Sequence, residues 1–156
     1  MLYFHSIGHS IRCINVMTES IGILNDDKAR SLKAVAEQAQ TALARFAGHQ
    51  VGYDPTALQA LDEWIDRHLR QFPDPSRRMR LLWTAFLGEV LRQRHGGDWA
   101  LQPGGQLAVA YPRSDGDYRV VAVSAQVERR IEEGISASLA YFYAMTTIEL
   151  KAEHVA

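Results

Sequence analysis

Between Leu32 and Phe46 the apolar residues Leu32, Ala36, Ala39, Leu43 and Phe46 recur at three- and four-residue intervals, while Arg30, Lys33, Glu37 and Arg45 stay off that stripe. The spacing predicts an amphipathic helix over Asp27 to Ala47. Asp26 and Asp27 suit its free amides, and Gly48 suits its end. A second helix is expected to open at YDPTAL, with Asp54 as cap and Pro55 at the first helical position. Leu58, Leu61, Trp64, Ile65, Leu69 and Phe72 form its apolar face, and FPDPS stops it.

A third helix, Ser76 to His95, is apolar nearly all round. Met79, Leu82, Trp83, Phe86 and Val90 make one stripe, and Leu81, Leu87, Gly88 and Leu91 fill other sides. That composition predicts a central helix packed on several faces. Gly88 costs about 1 kcal/mol against alanine there, which implies close approach by another backbone.

After Gly96 and Gly97 the apolar period changes to two. Asp98 to Gln102, Gln106 to Tyr111 and Tyr118 to Val123 read as strands joined by PGG and SDGD turns. Ser124 is placed to cap a short helix, AQVERRIEEG, and a last helix is expected from Ser136 to Glu149, carrying Leu139, Phe142 and Tyr143. The predicted fold is α+β: three N-terminal helices, a three-stranded antiparallel meander and two C-terminal helices.

The chain of 156 residues suits one domain, expected over residues 17–156. Residues 1–16 lack periodicity and turn logic and read as an extension outside the fold, non-native or disordered, with Met17 as a natural start. Seventeen basic and 18 acidic side chains give a net charge of −1, so there is no general drive toward nucleic acid or an anionic membrane. Cys13 is alone, which excludes an intrachain disulfide and points to a reducing cytoplasm. No apolar run approaches the roughly 20 residues of a membrane span.

Several chemistries lack their signatures. The P-loop, the GxGxxG fingerprint and the GxSxG elbow are missing, and no cofactor is implied. His5 and His9 have a metal-ligand spacing, but Gly8 separates them and no glutamate follows His5; no metal site is expected. His49 and His68 sit near helix ends and read as surface side chains.

The stretch LGEVLRQRHGGDWAL, Leu87 to Leu101, is the most patterned in the chain. Glu89 borders the buried stripe, so it needs a cation or carries a raised pKa. A functional reading makes it an acid–base group or ligand anchor. A structural reading pairs it with Arg129, Arg130 or backbone amides. His95 and Asp98 could form a dyad, though no nucleophile stands beside them. The same residues also suit a helix end and a cap, with Trp99 opening the sheet. Arg77, Arg78 and Arg80 begin the central helix where the dipole disfavours cations. Arg77, Arg78 and Trp99 are therefore candidate binding residues, set against the plainer reading of a solvated face.

With LGEVLRQRHGGDW, short strands and VERRIEEGISASLAYFY in that order, the chain resembles a group of small bacterial domains of unknown function. In these a Gly-Glu helix leads into Gly-Gly-x-Trp, and a basic-rich helix precedes a Ser-Leu-x-x-Phe-Tyr helix. The resemblance covers Leu58 to Tyr143 and departs from the pattern at AVSAQVERR, where a proline often precedes the basic-rich helix. It implies an α+β fold in a bacterial cytoplasm and no activity.

The residues support two functional readings. The first is a non-enzymatic module that binds another protein, as an adaptor or a toxin-immunity partner. Its sign is an exposed apolar or single-charge patch. The alternative is a small-ligand enzyme or hydrolase using Glu89 with His95 or Asp98, which requires those groups to meet in an open pocket.

Overall fold

A computed structural model describes residues 21–155. The extension at 1–16, the start at Met17, Cys13 and the His5/His9 pair lie outside the described residues. In chain order the elements are β1 (Gly22–Ile23), α1 (Asp26–Ala47), α2 (Pro55–Gln71), α3 (Arg77–His95), β2 (Asp98–Gln102), β3 (Gln106–Pro112), β4 (Tyr118–Val121), α4 (Val123–Glu133), a 3-10 turn (Gly134–Ala137) and α5 (Leu139–Val155). The fold is α+β.

Each of the first three helices is started by a side chain. Asn25, rather than either aspartate, caps α1 by accepting the amide of Lys28 at 2.9 Å; Asp54 caps α2 through Ala57 at 2.8 Å, and Ser76 caps α3 through Met79 at 3.1 Å. The aspartates fall inside the first turn of α1 instead, where their charge suits the helix dipole. Ser124 does not cap α4, whose N-cap position is Ala122 and which has no side-chain cap. Its hydroxyl accepts the Leu107 amide at 3.0 Å and donates to Gln106 at 2.9 Å, tying α4 to β3. The third predicted strand accordingly stops at Val121, because Val123 already begins the helix.

The sheet has four antiparallel strands in the order β1-β2-β3-β4, not three. The additional strand pairs Gly22 with Leu101 and Ile23 with Ala100, and the Leu24 amide donates to the Trp99 carbonyl at 2.9 Å. Two residues are too few to show a period, so β1 has no signature of its own. The final helix begins at Leu139 and runs to Val155, because the chain from Gly134 to Ala137 winds as a 3-10 turn.

Helix α3 is the central element: every residue from Trp83 to Leu91 is buried. It packs against α1, α4 and the sheet, while α2 packs against α5. One apolar cluster runs through all five helices and the sheet, from Leu32 to Leu150.

The buried face of α2 includes a carboxylate. Asp62 lies between the fully buried Leu61 and Ile65. Arg130 of α4, with no exposed surface, donates from Nε to Asp62 Oδ1 at 2.8 Å and from Nη2 to the Asp62 carbonyl at 3.0 Å and to Asp66 at 2.6 Å. Asp62 also caps α5. It accepts the Leu139 amide at 3.0 Å, the Ala140 amide at 3.1 Å and the Ser138 hydroxyl at 2.8 Å. Four donors thus converge on one carboxylate, which satisfies orphan amides and pairs a buried cation together, although Arg130 Nη1 keeps no hydrogen-bond partner. Asp62→Ala is expected to lower stability by about 3 kcal/mol, since it strands a buried guanidinium that keeps only Asp66 and a carbonyl. Denaturant unfolding that shifts by less than about 0.5 kcal/mol would contradict this role.

Candidate functional site

The end of α3 and the start of β2 are joined by Gly96 and Gly97, both at positive φ (80° and 91°). This turn brings Trp99 back over α3. The indole lies where a side chain at residue 88 would stand: a Cβ on Gly88 would be 1.9 Å from Trp99 Cη2. The close approach expected at Gly88 is therefore made by a side chain and not by another backbone. Gly97 has a matching role, since a Cβ there would meet the Tyr111 ring at 2.7 Å and the Ala110 carbonyl at 3.0 Å.

Packed against Gly88, the Trp99 ring donates from Nε1 to Glu89 Oε2 at 2.8 Å. Arg92 donates from Nε to the same oxygen at 2.9 Å, and Gln93 from Nε2 to Oε1 at 3.2 Å. The partner of Glu89 is thus Arg92, one helical turn on, and neither Arg129 nor Arg130. Arg129 pairs with Glu133 on the surface, and Arg130 is held by Asp62. A local partner wins because a long side chain three residues away on the same helix reaches the carboxylate without crossing the core.

Glu89 is fully buried. Burial pushes its carboxyl up, but the hydrogen bonds from Arg92, Trp99 and Gln93 and the Arg92 charge outweigh that, and the group sits below the ordinary carboxylate range. It is an ionised, fully bonded anchor. The Trp99–Glu89 bond fixes the sheet to the central helix, and Arg92, one-third exposed, carries the charge toward water.

His95 turns elsewhere. Its Nε2 meets the Thr147 hydroxyl at 2.8 Å, and its ring stacks on Tyr143 with centroids 5.6 Å apart. Burial, with the nearby Lys151 and Arg94 charges, holds it below its ordinary value. Asp98, at the exposed start of β2, makes no hydrogen bond to His95 or Glu89. Glu89, His95 and Asp98 line none of the surface cavities of about 140 to 610 Å³. Of the other described histidines, His49 lines two of these cavities and bonds the Gln50 carbonyl at 2.9 Å, and His68 lies edge-on to Trp83.

Arg77, Arg78 and Arg80 line one shallow cavity of about 330 Å³ with Thr84 and Ser124. Arg80 is held by Asp74 and Glu128, and Arg78 donates to Gln38. Trp99 is 1% exposed and offers no surface to a ligand. Among the described residues, no cluster of three or more His, Cys, Asp or Glu side chains is placed to hold a metal, and no helix is long and apolar enough to cross a membrane.

One surface feature stands apart. The inner face of α5 is Leu139, Tyr143, Thr146 and Leu150, all buried. Its outer face is also apolar: Tyr141 is 64% exposed, Met145 38% and Ile148 60%, with Ala144 and Ala152 exposed beside them. Sequence reasoning took Leu139, Phe142 and Tyr143 from this helix and passed over the second stripe. Its signal was the four-three-four spacing of Tyr141, Met145, Ile148 and Ala152. The chain matches no protein-family model, curated protein or solved structure in comparison.

Glu89 and His95 both contribute to the pH dependence of stability. Glu89 holds its proton less tightly folded than unfolded, so its contribution is whole above about pH 4.5 and is lost as pH falls through the lower folded value. His95 is also depressed, so folding is unopposed above about pH 6.5 and weakens below it as the unfolded state takes up the proton. Thermal unfolding from pH 7 to pH 3 should therefore show Glu89→Gln converging on wild type below about pH 4.5. Parallel curves throughout would show that Glu89 is not ionised in the folded protein.

Proposed function

We propose that this protein is a non-enzymatic protein-binding module and that its docking surface is the outward face of α5. The observation that carries the reading is the contiguous exposure of Tyr141, Met145 and Ile148 on one helix face. Single exposed apolar residues are ordinary, whereas an aligned stripe of large ones costs solubility and marks a place where another surface sits. Ile135, on the turn leading into α5, is 61% exposed and enlarges the apolar surface at that end. An apolar surface with an aromatic and a methionine has the composition of an interface core. It fits an adaptor better than an immunity-type partner recruited through charge.

The acid–base alternative draws no support from the geometry, because both oxygens of Glu89 are bonded and its supposed partners point elsewhere. A role in binding nucleic acid is equally without support. The cavity beside Arg77 and Arg78 has no aromatic side chain in its lining on which a base could stack.

The test is capture by the full tagged chain from host lysate, with an untagged copy of the chain present. Wild type should retain a stoichiometric partner that Ile148→Asp loses, while the variant keeps its melting temperature because residue 148 faces solvent. Identical eluates, or no stoichiometric protein in either, would refute the reading.

A further inference from the structure

We propose that the cavity between the first turns of α3 and α4 binds a small phosphate monoester, with its phosphate among the arginines and its aliphatic part on Leu81 and Leu107. The site is separate from the outer face of α5 and is independent of what docks there. It has a volume of about 330 Å³ and lies where Arg77 and Arg78 of α3, the turn at Gly105 and Ser124 of α4 meet.

The charges lining this cavity do not balance. Glu128 is taken by Arg80, which the solvent-exposed Asp74 also holds. Arg78 has only a neutral partner, the Gln38 amide oxygen, and so keeps its charge. Arg77 makes no side-chain hydrogen bond or ion pair with any described residue. Two cations thus stand without a counter-ion, in the first turn of a helix that has no acidic residue there. Even with Asp74 counted, cations outnumber carboxylates three to two. The positive end of the α3 dipole adds to their field rather than offsetting it. Helix α4 contributes a second positive end. It has neither a side-chain cap nor an acidic residue in its first turn, where Ser124 lines the cavity. Uncapped first-turn amides of this kind are donors for anions.

A separate observation comes from the lining itself. Thr84 is 3% exposed and borders the cavity, yet its hydroxyl has no hydrogen-bond partner among the described residues. A threonine inside a helix can return its hydroxyl to the carbonyl four residues back, as Thr41 does to Glu37. Thr84 does not. Buried polar groups are ordinarily bonded, so this hydroxyl beside two unpaired guanidiniums points to an acceptor supplied from outside. Two unpaired cations suit a dianion better than a single carboxylate, and a phosphate monoester carries about −1.5 to −2 at pH 7. Leu81 and Leu107 give the organic part an apolar wall. The lining has no aromatic ring for a nucleobase to stack on, which favours an aliphatic ester over a nucleotide.

The experiment titrates the full chain with butyl phosphate at constant ionic strength and follows the backbone amide NMR signals. Pentanoate, with the same alkyl group and one charge, and inorganic phosphate, with no alkyl group, are titrated alongside. Butyl phosphate should saturate, shift the amides of Thr84, Gly105 and Ser124, and bind at least about threefold tighter than either comparison ligand. Arg77→Gln and Arg78→Gln together should weaken it by about tenfold or more, and Thr84→Val by about threefold, while Arg129→Gln, outside the cavity, leaves it unchanged. Because Arg77 and Arg78 are exposed, the double variant keeps its fold and carries the test even if Thr84→Val does not. Shifts that never saturate, or that fall elsewhere, overturn the site. An equal loss in Arg129→Gln assigns the binding to general surface charge and also overturns it. Pentanoate binding as tightly as butyl phosphate overturns the choice of phosphate. Inorganic phosphate binding as tightly overturns the contact with Leu81 and Leu107. A folded Thr84→Val that binds like wild type overturns the role of the hydroxyl.

Discussion

The position of α5 depends on a single buried ion pair. Asp62 reaches from the apolar face of α2 to Arg130 of α4 and, through its other contacts, to the first turn of α5. A helix cap ordinarily comes from the residue just before the helix. Here it comes from 77 residues upstream for the Leu139 amide. That long-range cap ties three helices at one carboxylate and fixes the rotation of α5 about its axis. At the far end Arg119 of β4 holds Glu149 and Glu153 of the same helix. Clamped at both ends, α5 buries Leu139, Tyr143, Thr146 and Leu150, and it must turn Tyr141, Met145 and Ile148 outward.

The second buried carboxylate obeys the same physics and serves a different joint. Glu89 gathers Arg92, Gln93 and the Trp99 indole, and so pins the sheet to α3 where Asp62 pins α5 to α2 and α4. Neither carboxylate lines any of the five surface cavities described above. A buried carboxylate with both oxygens engaged holds elements together. The polar chemistry of these two carboxylates is spent on interior joints, and the docking surface proposed above lies on the apolar outer side of the last helix.

Much of this was legible in the sequence, for reasons that can be named. The five helices and the meander follow from the periods of their apolar residues, and Asp54–Pro55 and Ser76 mark helix starts through local capping chemistry. The burial of Glu89 follows from its place on an apolar helix. Its partner was misassigned because pairing within a helix competes with pairing across the core, and period alone does not rank them. Asp62 and Arg130 were open to discovery: each falls in phase with the buried residues of its helix, Leu58, Leu61 and Ile65 in one case, Val123, Gln126 and Val127 in the other. That two in-phase ions on separate helices meet is a tertiary fact. The two-residue β1 and the 3-10 turn carry no period to read. The outer stripe of α5 escaped notice because a helix apolar on two faces resembles one buried on both.

The most direct test of the account is the methyl NMR signal of Met145 in chains labelled at methionine, followed as the protein captured from host lysate is added. Met79, partly buried at the start of α3, supplies an internal reference in the same spectrum. The account predicts that the Met145 methyl shifts or broadens progressively while Met79 does not move, since only the outer face of α5 enters the contact. Met145 and Met79 signals that both stay constant as the captured protein is added would contradict docking on the outer face of α5.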